Sequence, residues 1–353
     1  MTEKPTRHIN IPLFIPHLGC RHACVFCDQR TISGGAAYSR ENTLAEMARG
    51  VRMLPPGQDA EIAFFGGSFT GIDRSEMIAL LDAAAGYAEA GAVRGIRLST
   101  RPDYIDEEVL SVLSRYPVKT VELGVQSMSD RVLRACRRGH DAAQTVRAFG
   151  LLREAGFRIG GQMMTGLPAS GAEDERDTAR AIVQMGAREA RVYSTVVIGG
   201  TALDAMTRRG EYSPLTKEDA VRRAADAVRI FSDADVTVLR TGLCETESLH
   251  GPAGITAGYY SPAFGEEVES RLYLDVLLSK IEALALPCGS EVIVFCGGGK
   301  TSRVIGHQKV NKLIILEKYG VKIKKVIEKP EILGYNILMT TEIPVIIKRK
   351  PED

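Results

Sequence analysis

The sequence predicts an α/β fold, a partial or full (β/α) barrel followed by a small α+β domain. Three observations carry that prediction. Apolar runs of strand character alternate at least six times with helical patterns over the first 200 residues. The unusual residues of that region fall just after the strands. The last 67 residues change abruptly in charge and composition.

The elements follow in order. Ile11–Ile15 reads as a short buried strand, followed by a polar, Cys-rich loop. Thr43-Leu-Ala-Glu46 has the form of a capping box opening a helix that Pro55-Pro56-Gly57 closes. Glu61–Phe65 is the next strand and runs into Gly66-Gly67. Asp73 to Glu76 starts a helix whose Met77, Leu80, Leu81 and Ala84 share one face. Strand Gly95–Thr100, helix Asp106–Arg115 and strand Thr120–Val125 come next. Helices Asp130–Cys136 and Ala142–Ala155, strand Arg158–Met164, helix Asp174–Met185 and strand Arg191–Ile198 complete the series. Helical crossovers between strands imply a parallel sheet. Helices on one side suit a barrel, and a doubly wound open sheet is the competing arrangement. Barrels place their chemistry beyond the C-terminal ends of the strands, so the loops there converge.

Of 353 residues, 45 are Lys or Arg and 44 are Asp or Glu, for a net charge of +1; 25% are charged and 44% apolar. This is globular composition and argues against disorder. No apolar run approaches the ~18 residues that span a bilayer, and the N-terminus lacks the apolar core of a signal peptide, so a cytoplasmic protein without membrane partners is expected. The charge is unevenly spread. Residues 1–286 hold 33 basic and 37 acidic side chains, 29 of the basic ones Arg; residues 287–353 hold 12 and 7, ten of the basic ones Lys. Two domains are therefore expected, 1–286 and 287–353.

Seven cysteines is an odd number, and Cys20, Cys24 and Cys27 crowd into eight positions. That spacing suits metal or redox chemistry better than a disulfide framework. Three thiolates can hold three irons of a four-iron cluster and leave the fourth open to a substrate or cofactor. The alternative is zinc, with His17 or His22 as fourth ligand.

A C-x-x-x-C-x-aromatic-C loop after the first strand of a (β/α) barrel resembles the signature of the radical S-adenosylmethionine enzymes. That resemblance implies a [4Fe-4S] cluster on Cys20, Cys24 and Cys27, with S-adenosylmethionine chelating the open iron. One electron then cleaves the sulfonium to a 5′-deoxyadenosyl radical. An electron donor such as flavodoxin or ferredoxin is implied as well. Phe26 occupies the family's aromatic position beside the adenine or the cluster. Gly66, Gly67 and Ser68 match the glycine-rich motif that meets the methionine amine, where bare backbone lets carbonyls approach a cation. Ser99 stands where relatives often carry Glu. Gln126 matches a ribose or carboxylate contact, Gln162 a polar ribose contact and Met164 an adenine-packing residue.

Within that superfamily, residues 8–286 are most similar to the radical-SAM domain of the Elongator catalytic subunit. Thr100-Arg-Pro-Asp-Tyr104, Glu122-Leu-Gly-Val-Gln-Ser127, Arg138-Gly-His140, Met164-Thr-Gly-Leu-Pro168 and Tyr193–Ile198 carry the likeness. Oxygen-independent coproporphyrinogen oxidases share the Gly-Val-Gln and Gly-Leu-Pro phrases. The 67 residues after 286 are too few for an acetyltransferase domain, so acetyl-CoA-dependent chemistry by this chain alone is not expected. RNA, tRNA above all, is the expected substrate. A small-molecule or porphyrin-like substrate is the alternative, and a noncatalytic zinc-bearing binding protein is the reading of another class.

Arg137, Arg138 and His140 read either as an RNA-facing cluster or as a solvated helix end. The Gly-rich segment 241–264 reads as a lid, and its Cys244 as a free core cysteine or a hydrogen or sulfur donor. In the tail, Gly299-Lys300-Thr301 lacks the upstream glycine of a phosphate loop, whose position is Val294. A strand at 290–295, helix to Lys318, Gly320 and strand Val321–Val326 resemble the core of a KH domain, with Gly306-His-Gln-Lys309 standing for its G-x-x-G loop. The alternative is a small basic β-rich cap, with further strand over Glu331–Lys348. Lysine-rich composition suits nonspecific phosphate attraction.

Overall fold

The computed structural model describes residues 8–341 except 16–17, 21–22, 34–37, 56 and 252. His17, His22 and the end of the expected Glu331–Lys348 strand lie outside the described residues. The chain divides into two compact units, Met1–Pro262 and Ala263–Asp353.

The strands of the first unit are β1 (Ile9–Ile15), β2 (Ala60–Gly66), β3 (Gly95–Thr100), β4 (Val118–Gln126), β5 (Arg158–Thr165), β6 (Glu189–Ser194), β7 (Val197–Ile198), β8 (Thr237–Thr241) and β9 (Ile255–Ala257). Its helices are α1 (Gln29–Ser33), α2 (Arg40–Arg52), α3 (Arg74–Glu89), α4 (Glu107–Leu113), α5 (Asp130–Ala135), α6 (Ala142–Glu154), α7 (Ala172–Gln184), α8 (Ala202–Arg208) and α9 (Lys217–Asp233). Seven strands form one parallel sheet in the order β1-β2-β3-β4-β5-β6-β8. The order never reverses, so the sheet is not doubly wound. It curls into a half-barrel whose edges, β1 and β8, do not pair. The segment after β8 reaches back instead: Ser248 Oγ donates to the carbonyl of Thr31 in α1.

Strand side chains alternate between two faces. One face, with Ile62, Phe64, Leu98, Val121, Leu123, Met163 and Val192, is sealed by Leu80, Leu81, Phe149 and Ile182 of the helices. The opposite face is polar. Strands β8 and β9 were not expected, and two expected elements are placed differently. Helix α2 starts four residues early because Ser39, not Thr43, is its N-cap; the Ser39 side chain accepts from the Asn42 amide, and Thr43 donates back to the Ser39 carbonyl. The strand expected over Arg191–Ile198 breaks at Thr195-Val196, and β7 pairs antiparallel with β9.

The second unit comprises α10 (Phe264–Leu284), β10 (Glu291–Cys296), α11 (Thr301–Ile305), α12 (Val310–Tyr319), β11 (Lys322–Glu328) and β12 (Leu338–Thr340). Its sheet order is β11-β10-β12, with β11 parallel and β12 antiparallel to β10. Tyr273, Leu277 and Ile281 of α10 share a core with Val292, Val294, Val304, Ile315 and Ile323. The helix expected to end the first module therefore has its partners after it in the chain. Buried Asn311 ties α12 to α10 and α11, its Nδ2 donating to the carbonyls of Ser270 at 2.9 Å and Val304 at 3.2 Å. No described helix is long and apolar enough to cross a membrane.

Candidate active site at the C-terminal mouth of the half-barrel

The cysteine loop leaves the end of β1 and is anchored from two sides. Val25 donates its amide to the Cys136 carbonyl at 3.1 Å, and the Leu203 amide donates to the Val25 carbonyl at 2.8 Å. Cys24, Val25 and Phe26 bury with Val132, Cys136, Leu167, Leu203 and Tyr212, and Cys27 and Met164 pack partly buried against them. Phe26 and Met164, chosen as adenine or cluster neighbours, thus lie in one apolar group beside two of the three cysteines.

Bare backbone at Gly67 is required by the loop itself. A Cβ there would fall 2.3 Å from the Leu18 carbonyl oxygen and 2.5 Å from that of Ile15. The glycines let β2 lie flush against the start of the cysteine loop, a use of the motif additional to the expected approach to a cation. Ser68, fully buried, donates its amide to the Leu18 carbonyl at 3.0 Å, and its Oγ lies 3.6 Å from Cys20 Sγ. The Gly66 carbonyl accepts from the Gln29 side chain.

Gln126 ends β4 at φ 65°, left-handed backbone that a non-glycine side chain adopts only under constraint. The β4–β5 register slips at this point. The turn brings Gln126 to Gln162, whose Nε2 donates to its Oε1 at 3.4 Å. Ser99 is half-buried at the end of β3; among the described residues it makes no side-chain hydrogen bond to any of the others.

Below these side chains lies an ionic layer that the sequence reading missed. Arg97 donates to Glu122 at 2.8 Å, Glu189 at 2.6 Å and Glu61 at 3.1 Å, and Arg191 donates to Glu122 at 2.6 Å while lying over the Phe65 ring. Burial opposes the Arg97 charge, but Glu189 and Glu122 outweigh it and hold the guanidinium firmly protonated. The available signal was parity: Glu122, Gly124 and Gln126, like Arg97 and Ser99, recur at alternate positions on one strand face.

Arg138 and His140 correct the sequence reading. Neither is solvated or RNA-facing; both are buried, and only Arg137 and Gly139 between and beside them are exposed. Arg138 Nη1 donates to Cys24 Sγ at 3.4 Å. Burial, then Arg138, pushes the His140 imidazole down against the pull of Asp103. Cys244 is exposed, not a core cysteine.

Burial, with Cys24 and Cys20 alongside, raises the Cys27 thiol to about 12, while Arg138 pulls the other way. The three sulfurs therefore share one electrostatic neighbourhood. Among the described residues no three His, Cys, Asp or Glu side chains close round a single metal-binding point. As a donor set, three soft sulfurs on one loop fit an iron–sulfur cluster.

Residues 14–182 match the model of the Radical SAM superfamily, and residues 188–273 that of the Radical_SAM C-terminal domain. A tRNA uridine(34) acetyltransferase of Methanocaldococcus infernus is 33% identical over 127 residues, covering 35% of this chain and 24% of the relative. Elongator complex protein 3 of Homo sapiens is 31% identical over 147 residues, 40% of this chain and 27% of the relative. The chain thus spans about a quarter of the length of these relatives. The solved structure of Elp3 from M. infernus, lacking its N-terminus, superposes with a TM-score of 0.58 at 21% identity, over 82% of this chain and 66% of that one.

Proposed function

Because this chain belongs to the radical SAM superfamily and is an enzyme of that class, we propose that it binds a [4Fe-4S] cluster and S-adenosylmethionine and uses them to modify RNA, with tRNA as the substrate class. The carrying observation is the placement of Cys20, Cys24 and Cys27 on one loop against Gly66-Gly67-Ser68 at the mouth of the half-barrel. When bound, these groups supply a one-electron cleavage of the sulfonium that yields a 5′-deoxyadenosyl radical.

The chain's own residues bind, orient and exclude water. Cys20, Cys24 and Cys27 hold the cluster. The Gly66–Ser68 backbone and Ser99 receive the amino-acid end of the cofactor, and the Gln126–Gln162 pair its ribose. Phe26 and Met164 cover the adenine with apolar surface. An external donor such as flavodoxin or ferredoxin delivers the electron.

Two observations support RNA as the substrate: the likeness to proteins named for tRNA uridine(34) chemistry, and the Lys-rich second unit. There the loop Gly306–Lys309 carries left-handed backbone at Gly306 (φ 79°), Gln308 (φ 51°) and Lys309 (φ 64°). Lys309 therefore has the conformation that a second glycine of a KH-type loop would supply, with a cation added. Anaerobic turnover with dithionite and S-adenosylmethionine, with and without total tRNA, tests the reading. It predicts 5′-deoxyadenosine formation stimulated by tRNA. Zinc without iron or sulfide after anaerobic reconstitution would sink it, and cleavage indifferent to tRNA would favour a small-molecule substrate.

A further inference from the structure

Arg138 is a buried cation with an unusual partner. The other deeply buried arginines of the half-barrel face carboxylates: Arg97 meets Glu61, Glu122 and Glu189, and Arg101 meets Asp103. Among the described residues no carboxylate pairs with Arg138, which is 8% exposed. Its guanidinium makes two contacts instead. Nη2 donates to the Gly124 carbonyl at 2.8 Å, and Nη1 donates to Cys24 Sγ at 3.4 Å. A buried charge without a counter-charge is expensive, so the fold must supply an anion or lose stability. Among the described residues the sulfur of Cys24 is the one candidate anion in contact with it.

The rest of the local structure is arranged around this contact. A Cβ on Gly124 would lie 2.7 Å from Arg138 Nη2 and 3.1 Å from Gln126 Nε2, so glycine is needed for the guanidinium to lie across β4. The Arg138 amide donates to the Leu133 carbonyl at 2.9 Å, and its carbonyl accepts from Arg101 Nη2. The side chain thus reaches the cysteine loop from a backbone fixed on both sides. One glycine in the Glu122–Ser127 phrase serves Arg138 and Gln126 together.

We infer that Arg138 is a positioning residue that acts through Cys24, its N–H···S bond and fixed charge favouring the reduced state of a cluster held on that sulfur. The inference rests on reading Cys20, Cys24 and Cys27 as cluster ligands. Reduction adds negative charge to the cluster and its sulfurs. Hydrogen bonds to sulfur and local net charge are among the factors that set such potentials. A cation held against one ligand therefore moves the potential upward, and its removal moves it down.

The test uses the full chain, reconstituted anaerobically as wild type, R138Q, R138K and G124A, with iron and sulfide counted and the cluster midpoint measured by redox titration. R138Q should retain its iron but be harder to reduce, the reduction equilibrium shifting about tenfold, or about 59 mV for one electron. R138K should recover part of that shift, because a point charge cannot span both acceptors. G124A keeps the charge but displaces it, and should shift in the same direction by less. Should R138Q fail to fold, R138K and G124A still decide the matter. A wild-type midpoint in the folded, iron-loaded variants overturns the inference while leaving the cluster assignment standing. A wild-type chain that takes up no iron and sulfide overturns both.

Discussion

Gly67 and Gly86 show how differently one added methyl group acts. At Gly67 a Cβ meets two backbone carbonyls at 2.5 Å or less, so the cysteine loop must move. G67A should lose about 2–4 kcal/mol in thermal or denaturant unfolding and most of its iron on reconstitution. Gly86 lies inside α3 with nothing within 4 Å of its added Cβ; G86A should gain about 0.5–1 kcal/mol from helix propensity alone. His140 makes a pH prediction. Its folded pKa lies below the unfolded value of about 6.5, so the unfolded chain takes up a proton that the folded chain refuses. Stability is present above that value and falls below it, at up to about 1.4 kcal/mol per pH unit. Denaturant midpoints at pH 7 and 5.5 should differ less in H140Q than in wild type. That the cysteine loop follows β1, Gly66-Gly67 close β2 and Gln126 ends β4 was legible, because each strand end shows where an apolar run stops. Arg138 and His140 were not, because their burial is decided by Gly124, Asp103 and the cysteine loop, all distant in the chain.

Strands β1 to β6 were legible as elements because each carries an apolar face that must meet helices. Strand β8 was not; Thr237–Thr241 is an edge strand of mostly half-buried residues and offers no apolar run. The start of α2 was misplaced because two hydroxyl residues four apart compete for the cap, and pattern alone does not choose Ser39 over Thr43. The ionic layer is a property of adjoining strands: alternation along one strand marks which residues share its face, but not their partners on the next. Removing Arg97 would strip Glu61, Glu122 and Glu189 of the one cation they share, leaving Glu122 only Arg191 and Glu189 only the half-exposed Arg158. R97M should therefore cost about 3–5 kcal/mol in denaturant unfolding, and a variant that also replaces the three glutamates should recover part of the loss.

For the whole molecule, the position of α10 changes how the chain should be cut. Ending it at residue 286 strips Tyr273, Leu277 and Ile281 of their partners. Ending it at 262 leaves that helix out. The shorter truncation product should be the better behaved, with less dye binding to exposed apolar surface and a sharper melt. On the proposed RNA reading, intact protein should bind tRNA with steep salt dependence, and the 1–262 product more weakly. The half-barrel itself has a seam. Between β1 and β8 no ladder runs, and the hydrogen bond from Ser248 to the Thr31 carbonyl acts there as a clasp. One neutral hydrogen bond contributes about 0.5–1.5 kcal/mol, a small barrier beside the rupture of a strand pair. The two edges of the sheet are therefore bridged by the 247–250 turn in place of a strand ladder, and that turn can detach without breaking any strand pair. Amide exchange should accordingly be fast at 247–250 and slowest in β4 and β5.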